Sequence, residues 1–369
     1  MLIGFCMESE EVRTLTLYGR AAAVLLVVLM AFLIAITGVP AAAFADDGDT
    51  GGDPVGESTD DTDIATAAFS YAAVSVFSDL TLYIGARVDD PLTVPSMRFT
   101  GSGRTVISAG TRDGDLWRFE YAGICPQCMS DTVGMELLDG DEVLVSGEYS
   151  LSQYFDDIYH STADELDLND EQFAALCTLM ADILEYGAAA QEYTQYRTSD
   201  PANSLPWTAS EKTSLQLLPE LPPLGTLPGL ETDYIKSATL VLSNSVRIRF
   251  RVYAKYADRL IISGKDVTEA ILLDECTYDG GAYLVDFGGI YATDFDTVWE
   301  VSLAKGMTDV FCWREYSVNS YIASKFHSSN EKLSRIVRAM YHYGVSADMY
   351  RTMSDGYMLT DEHDWGPVS

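Results

Sequence analysis

Cys125-Pro-Gln-Cys128 has the spacing of a thiol–disulfide pair. Such a pair is reactive when it opens a helix after a strand, because the helix N-terminus lowers the thiol pKa. Here Met129-Ser-Asp-Thr leads on into a strand pattern, which points to a local disulfide or a pair of idle thiols. Zinc needs a second pair of ligands, and none is spaced for it. The four histidines, His160, His327, His342 and His363, are scattered over helices and an acidic tail. No HExxH, GxSxG or phosphate-binding glycine loop occurs in a fitting context. Carboxylates are spread so evenly that no glycosidase pair stands out. The expectation is therefore no catalytic residue, no metal and no cofactor.

Two tryptophans are the candidates for ligand contact. Trp117 and Trp313 fall on strand patterns, where an exposed aromatic face can stack on a sugar or a partner. Core packing is the commoner use of such a side chain. Cys177 lies beside an apolar helical stripe and reads as core. Cys276 and Cys312 could bridge strands of the second half or stay free.

The elements that hold these residues are legible from periodicity. In EQFAALCTLMADILEYGAAAQEY (171–193), Leu176, Leu179, Met180, Ile183, Gly187 and Ala190 fall on one helical stripe. Leu333, Ile336, Val337, Met340, Gly344 and Ala347 repeat it. Glycine inside a helix costs roughly 1 kcal/mol against alanine. Its recurrence at the same step of two helices predicts that another backbone passes there too closely for a Cβ.

Leu80, Leu82, Ile84 and Ala86 alternate with polar or small residues, as in a half-buried strand. Further strands are expected near 105–108, 116–121, 132–138 and 142–145, the last two joined at Asp139-Gly140. Ser150 is placed to cap a short helix with Leu151, Tyr154, Phe155 and Ile158 inward, and Asn169-Asp170 opens the long one. In the second half Val246, Ile248, Phe250 and Val252 alternate with Arg247, Arg249 and Arg251, a strand with one wet, basic face. Strands near 260–262, 282–287, 298–303 and 310–313 follow, then a short helix through Tyr321 and a long one.

The halves overlay. FEYAGI (119–124) matches VDFGGI (285–290), GEYSLSQY (147–154) matches REYSVNSY (314–321), and Gly187 matches Gly344. By these matches Trp117 corresponds to Tyr283, Trp313 to Ser146, and the core candidate Trp299 to Val133. Length differences fall in loops, as in a duplicated fold. The fold class expected is α+β: two tandem copies of an antiparallel β-sheet or sandwich module, each ending in a short and a long helix.

Organisation follows. Arg13 and Arg20 precede the apolar run 21–39, and AAAFA ends at Ala45, so residues 1–45 read as a signal peptide cleaved after Ala45, with an uncleaved membrane anchor as the alternative. Residues 46–66 form an acidic stalk without apolar period, 67–197 the first repeat, 198–235 a proline-rich linker, 236–352 the second repeat and 353–369 an acidic tail. Six cysteines, one of them in the leader, leave an odd number after cleavage, which is no disulfide scaffold. The net charge of −33 argues against nucleic acid and against anionic membrane surfaces.

One set of motifs carries a resemblance. GICPQCMSD (123–131), EYSLSQY (148–154) and ALCTLMADILEYGAAAQEY (175–193), with the weaker copy YSVNSYIASK (316–325) and LSRIVRAMYHYGVSADMY (333–350), resemble a duplicated domain of unassigned function in large exported or cell-surface proteins of Gram-positive anaerobes. The resemblance spans most of residues 70–350. It implies export and a surface context and supplies no catalytic residue. The expectation is a non-catalytic exported protein for surface binding, adhesion or assembly, with a glycan, an envelope component or a surface protein as partner. The alternatives are an exported hydrolase acting on polysaccharide, a structural spacer, and thiol–disulfide exchange at Cys125 and Cys128.

Overall fold

The computed structural model describes residues 67–76, 80–89, 91, 93–208, 234–242, 245–254, 257–265, 267–306 and 309–358, without the side chains of 309, 311–313 and 354–358. The expected signal peptide, acidic stalk, most of the proline-rich segment and the end of the acidic tail lie outside the described residues.

The fold is α+β and is built twice. The first unit comprises β1 (Ala67–Ser75), β2 (Thr81–Val88), β3 (Ser96–Gly101), β4 (Arg104–Ala109), β5 (Thr111–Asp113), β6 (Leu116–Tyr121), β7 (Val133–Asp139), β8 (Glu142–Tyr149), α1 (Leu151–Tyr159) and α2 (Asp170–Thr194). The second comprises β9 (Ile235–Leu242), β10 (Val246–Val252), β11 (Arg259–Gly264), β12 (Val267–Leu272), β13 (Thr277–Asp279), β14 (Ala282–Ile290), β15 (Trp299–Lys305), β16 (Asp309–Tyr316), α3 (Val318–Lys325) and α4 (Glu331–Met358). Each unit has two antiparallel four-stranded sheets. The orders are β1-β2-β6-β5 and β4-β3-β7-β8, then β9-β10-β14-β13 and β12-β11-β15-β16. Adding eight to each strand number turns the first pair of sheets into the second.

Burial shows why these segments are strands. Leu82, Ile84 and Ala86 of β2 are buried, as are Ile248, Phe250 and Val252 of β10. Ile84 faces Phe119, and at the same step Phe250 faces Val285. The two sheets of each unit meet through aromatic contacts, Phe99 with Tyr121 at 5.4 Å and Phe287 with Trp299 at 4.8 Å between ring centroids. Trp299 is interior, as its match to Val133 predicts. The Asp139-Gly140 turn joins β7 to β8 with Gly140 at φ +62°, a conformation that suits glycine.

The helices start where the sequence places them. The Ser150 hydroxyl accepts from Gln153 N–H, and Asn169 and Gln172 form a reciprocal capping box. Leu151, Tyr154, Phe155 and Ile158 all face inward. α2 is long and apolar enough to cross a bilayer, yet most of its surface is buried inside the protein, as in a core helix.

α2 and α4 pack against each other and join the units. They run antiparallel: Gln172 meets Met353, Tyr186 meets Tyr343, and Glu192 meets Arg335. Tyr186 and Tyr343 are equivalent residues and stack at 5.9 Å. Equivalent residues that meet each other place a local two-fold axis between the units, as in an isologous dimer. The Tyr343 hydroxyl also donates to the Val76 carbonyl at 2.5 Å, tying α4 to the end of β1.

The two helical glycines meet the expected backbone. A Cβ on Gly187 would lie 3.0 Å from the Pro126 carbonyl oxygen, and one on Gly344 would lie 3.3 Å from that of Ala292. Both oxygens belong to matching 3-10 turns, Pro126–Cys128 and Ala292–Asp294.

The chain after α2 differs from a free spacer at its start. Ala202 and Trp207 are buried; Trp207 stacks on Tyr159 at 4.3 Å and donates from Nε1 to Asp156 at 2.9 Å. Gln191 binds the Ala202 N–H, and Arg197 and Tyr196 bind Asp131. Residues 195–208 therefore belong to the first unit. Cys276 is a free thiol, so it forms no bridge, and the side chain of Cys312 lies outside the described residues.

Candidate functional site

Trp117 sits on β6, half-buried against the core, with the Arg112 guanidinium 5.1 Å above its ring. Its indole nitrogen is turned inward and has no partner among the described residues. At the matching place in the second unit Tyr283 carries Tyr278, 63% exposed, at 5.0 Å. Trp313 lies on β16 in the other unit, and its side chain is outside the described residues. Trp117 and Trp313 are on different sheets, so the fold does not assemble them into one surface.

Cys125 and Cys128 are joined as a disulfide across the first 3-10 turn, with Cα atoms 5.2 Å apart. No long helix begins there; the chain continues into β7. The bond closes the turn whose Pro126 carbonyl and Met129 sulfur press on Gly187. At the position of Cys128 the second unit has Asp294, which is paired with Lys265 from the β11–β12 turn. Each unit thus fastens this turn by a different chemistry. Arg247, Arg249 and Arg251, expected as a wet basic face, are largely answered by neighbouring strands. Arg249 binds Asp286 through two nitrogens at 2.6 and 2.7 Å, and Arg251 reaches the Asp279 carbonyl at 3.1 Å.

The polar groups that converge are elsewhere. A groove of about 570 Å³ lies between the units, lined by Glu185 of α2, by His327 and Ser328 before α4, and by Glu331, Ser334, Arg335, Arg338, Ala339 and His342 of α4. Pockets of a few hundred Å³ with convergent polar groups are the usual seats of small ligands. The α4 residues form one stripe, because their spacing is that of a single helix face. Ser334 and Ala339 are buried and make the floor. Glu331, His327 and Arg338 are exposed at the rim.

Within the groove Glu185 and Arg335 are matched to each other. Glu185 Oε1 accepts from Arg335 Nη2 at 3.0 Å and Nε at 3.3 Å, and its Oε2 accepts from Asn203 of the folded-back segment. Arg335 also reaches Glu192. Arg338 donates from Nε to the Phe326 carbonyl at 3.2 Å and lies over the Phe326 ring at 4.7 Å. The His342 Nδ1 is buried with no hydrogen-bond partner among the described residues. Burial lowers the His342 pKa below its ordinary value; Glu185 opposes this and Arg338 adds to it. At neutral pH the imidazole is uncharged.

Comparing the repeats separates this stripe from what the fold itself requires. On the Gly187–Gly344 match, Glu331, Arg335, Arg338 and His342 stand where α2 has Ala174, Thr178, Ala181 and Glu185. At the first three positions α4 carries charges that α2 lacks, and at the fourth α2 carries the charge and α4 a histidine. That substitution pattern is visible in the sequence, but on α4 alone it reads as an ordinary solvated face. A second groove of about 430 Å³ runs beside β4 and β6. Its Arg104 is spent on the Tyr121 hydroxyl and the Ala122 and Gly123 carbonyls.

Among the described residues no group of three or more histidine, cysteine and acidic side chains is placed to hold a metal ion. No protein-family model and no curated protein matches the chain.

Proposed function

We propose that the protein is a non-catalytic exported module for surface binding or assembly, with the groove between its two units as the ligand seat. The observation that carries this reading is the groove's composition. The second unit supplies all of its lining but Glu185, and Glu331, Arg335 and Arg338 stand where the duplicated helices differ. The chemistry favours binding over hydrolysis. Glu185 has both carboxylate oxygens engaged, so it is not a free base. His342 Nδ1 has no hydrogen-bonded acid or nucleophile among the described residues. General acid–base catalysis needs such a partner within reach of the substrate.

The test is binding of defined envelope fragments, neutral oligosaccharides and short peptides, followed by calorimetry with the wild type and with Ala339→Trp, which fills the groove from its floor. Binding lost in Ala339→Trp with the circular dichroism spectrum retained supports the reading. Release of new reducing ends from a polysaccharide incubated with the protein replaces it with the hydrolase. Silence across the whole panel leaves the spacer role as the better account.

A further inference from the structure

We infer that the protein joins copies of itself head to tail, with β4 of one copy pairing along β12 of the next. This surface is not the groove between the units, and the two readings stand or fall separately. An edge strand turns every second N–H and C=O outward, where another strand can take them up. Among the described residues the four sheets end in eight edge strands. Six of them are blunted. β1, β8, β9 and β16 each carry a register shift against their neighbour, and β5 and β13 have three residues apiece. Register shifts and short strands are common guards against edge pairing. β4 and β12 have neither guard. Each runs six residues in unbroken register, β4 along β3 and β12 along β11. Neither contains proline or lysine. Both present exposed apolar side chains, Ile107 at 64% and Val267 at 48%.

β4 and β12 are equivalent strands of the two units, so one molecule carries one of each. Their charges have not stayed alike. From Arg104 to Arg112 there is no acidic residue, in a chain with 56 acids among 369 residues. The hydrogen bonds of Arg104 and Arg112 go to uncharged oxygens, those of Tyr121, Ala122, Gly123 and Gly114, so no ion pair cancels either charge. From Val267 to Glu275 there are three acids, Glu269, Asp274 and Glu275, and no base. All three are exposed, and none is in an ion pair among the described residues.

Those charges choose between the ways two edges can meet. Opposite charges across a strand pair favour it and like charges oppose it. β4 on β4 sets arginines beside arginines, and β12 on β12 sets carboxylates beside carboxylates. Either would add to the repulsion between copies that each carry a net charge of −33. β4 on β12 sets opposite charges along one contact. A contact between two different surfaces of one molecule does not pair off, so it repeats from copy to copy. Strands of six residues are about 20 Å long, which is a small contact, so the assembly is weak and depends on concentration.

The experiment is sedimentation velocity of the full chain over a concentration series, with the wild type, Ile107→Glu and Ala270→Lys. The first substitution adds an acid to the strand that meets the acidic edge. The second adds a base to the strand that meets the arginines. Both positions are exposed, so each variant should keep the wild-type unfolding midpoint. The wild type is expected to grow past the dimer as concentration rises, and each substitution should weaken the association at least tenfold. An equimolar mixture of the two variants should regain association that neither shows alone, because one still offers β12 and the other β4. Misfolded variants would not rescue each other in this way. A wild type that stays monomeric up to about 1 mM overturns the inference. So does association that either variant keeps by itself, which would place the contact between like edges or elsewhere on the surface.

Discussion

Replacing Gly187 by alanine sets two effects against each other. Alanine is better than glycine inside a helix by roughly 1 kcal/mol. Against that, the new Cβ would stand 2.7 Å from Met129 Sδ, 3.0 Å from the Pro126 oxygen and 3.1 Å from the Ala202 Cβ. The methionine can swing aside. The Pro126 carbonyl cannot easily do so, because it lies in a turn closed by the Cys125–Cys128 disulfide, and Ala202 has no rotamer to change. Overpacking of this kind costs about 1–3 kcal/mol, so a net loss of about 1 kcal/mol is expected. Gly344→Ala is the internal control. There the nearest atom is Cδ2 of Phe295, at 2.8 Å and on a side chain, and the Ala292 oxygen is 3.3 Å away. A small rotation of the ring relieves most of the clash, so the penalty falls to about the propensity gain and the net change to about zero. Urea unfolding with the slope held constant reads the difference as a shift in midpoint. The reasoning is refuted if Gly344→Ala costs as much as Gly187→Ala, or if Gly187→Ala stabilises the protein.

Three further outcomes follow from the same geometry. Trp207→Ala removes a buried ring stacked on Tyr159 and should cost about 3–5 kcal/mol, whereas Trp207→Phe, which mainly loses the bond to Asp156, should cost about 1–2 kcal/mol; equal urea midpoints for both variants would show that 195–208 is not anchored there. His342 has a native pKa below its ordinary value of about 6.5, so the unfolded chain binds the proton first. Stability should therefore decline as pH drops from about 6.5 toward that lower native value, and His342→Gln should flatten this stretch of the pH–stability curve. Cys125→Ser with Cys128→Ser opens a loop of four residues and should cost about 2 kcal/mol by chain entropy; alkylation of the wild type, unfolded without reductant, should leave both cysteines unlabelled.

Much of the scaffold was legible because its signals are local. The alternation of Leu82, Ile84 and Ala86, the Ser150 and Asn169 caps and the Asp139-Gly140 turn each depend on residues a few positions apart. Edge strands were harder. β12 is largely exposed and β13 has only three residues, so neither shows a clear period. Trp207 gave no warning, since it lies among prolines with no apolar repeat, and its burial depends on Tyr159 and Asp156 far back in the chain. The arginines of β10 looked like a bare basic face because Asp286 joins them only through the β10–β14 register.

The sequence by itself determined the duplicated strand-and-helix order, the inward faces and the two glycine notches, because periodicity and steric demand are written within each segment. The docking of α2 on α4 was decided only in three dimensions. It stacks Tyr186 on Tyr343, spends Arg335 on Glu185 and Glu192, and leaves Glu331 and Arg338 facing one groove. The physical reason is that a charge is free or matched according to what stands opposite it, and what stands opposite α4 is a helix well over a hundred residues earlier in the chain.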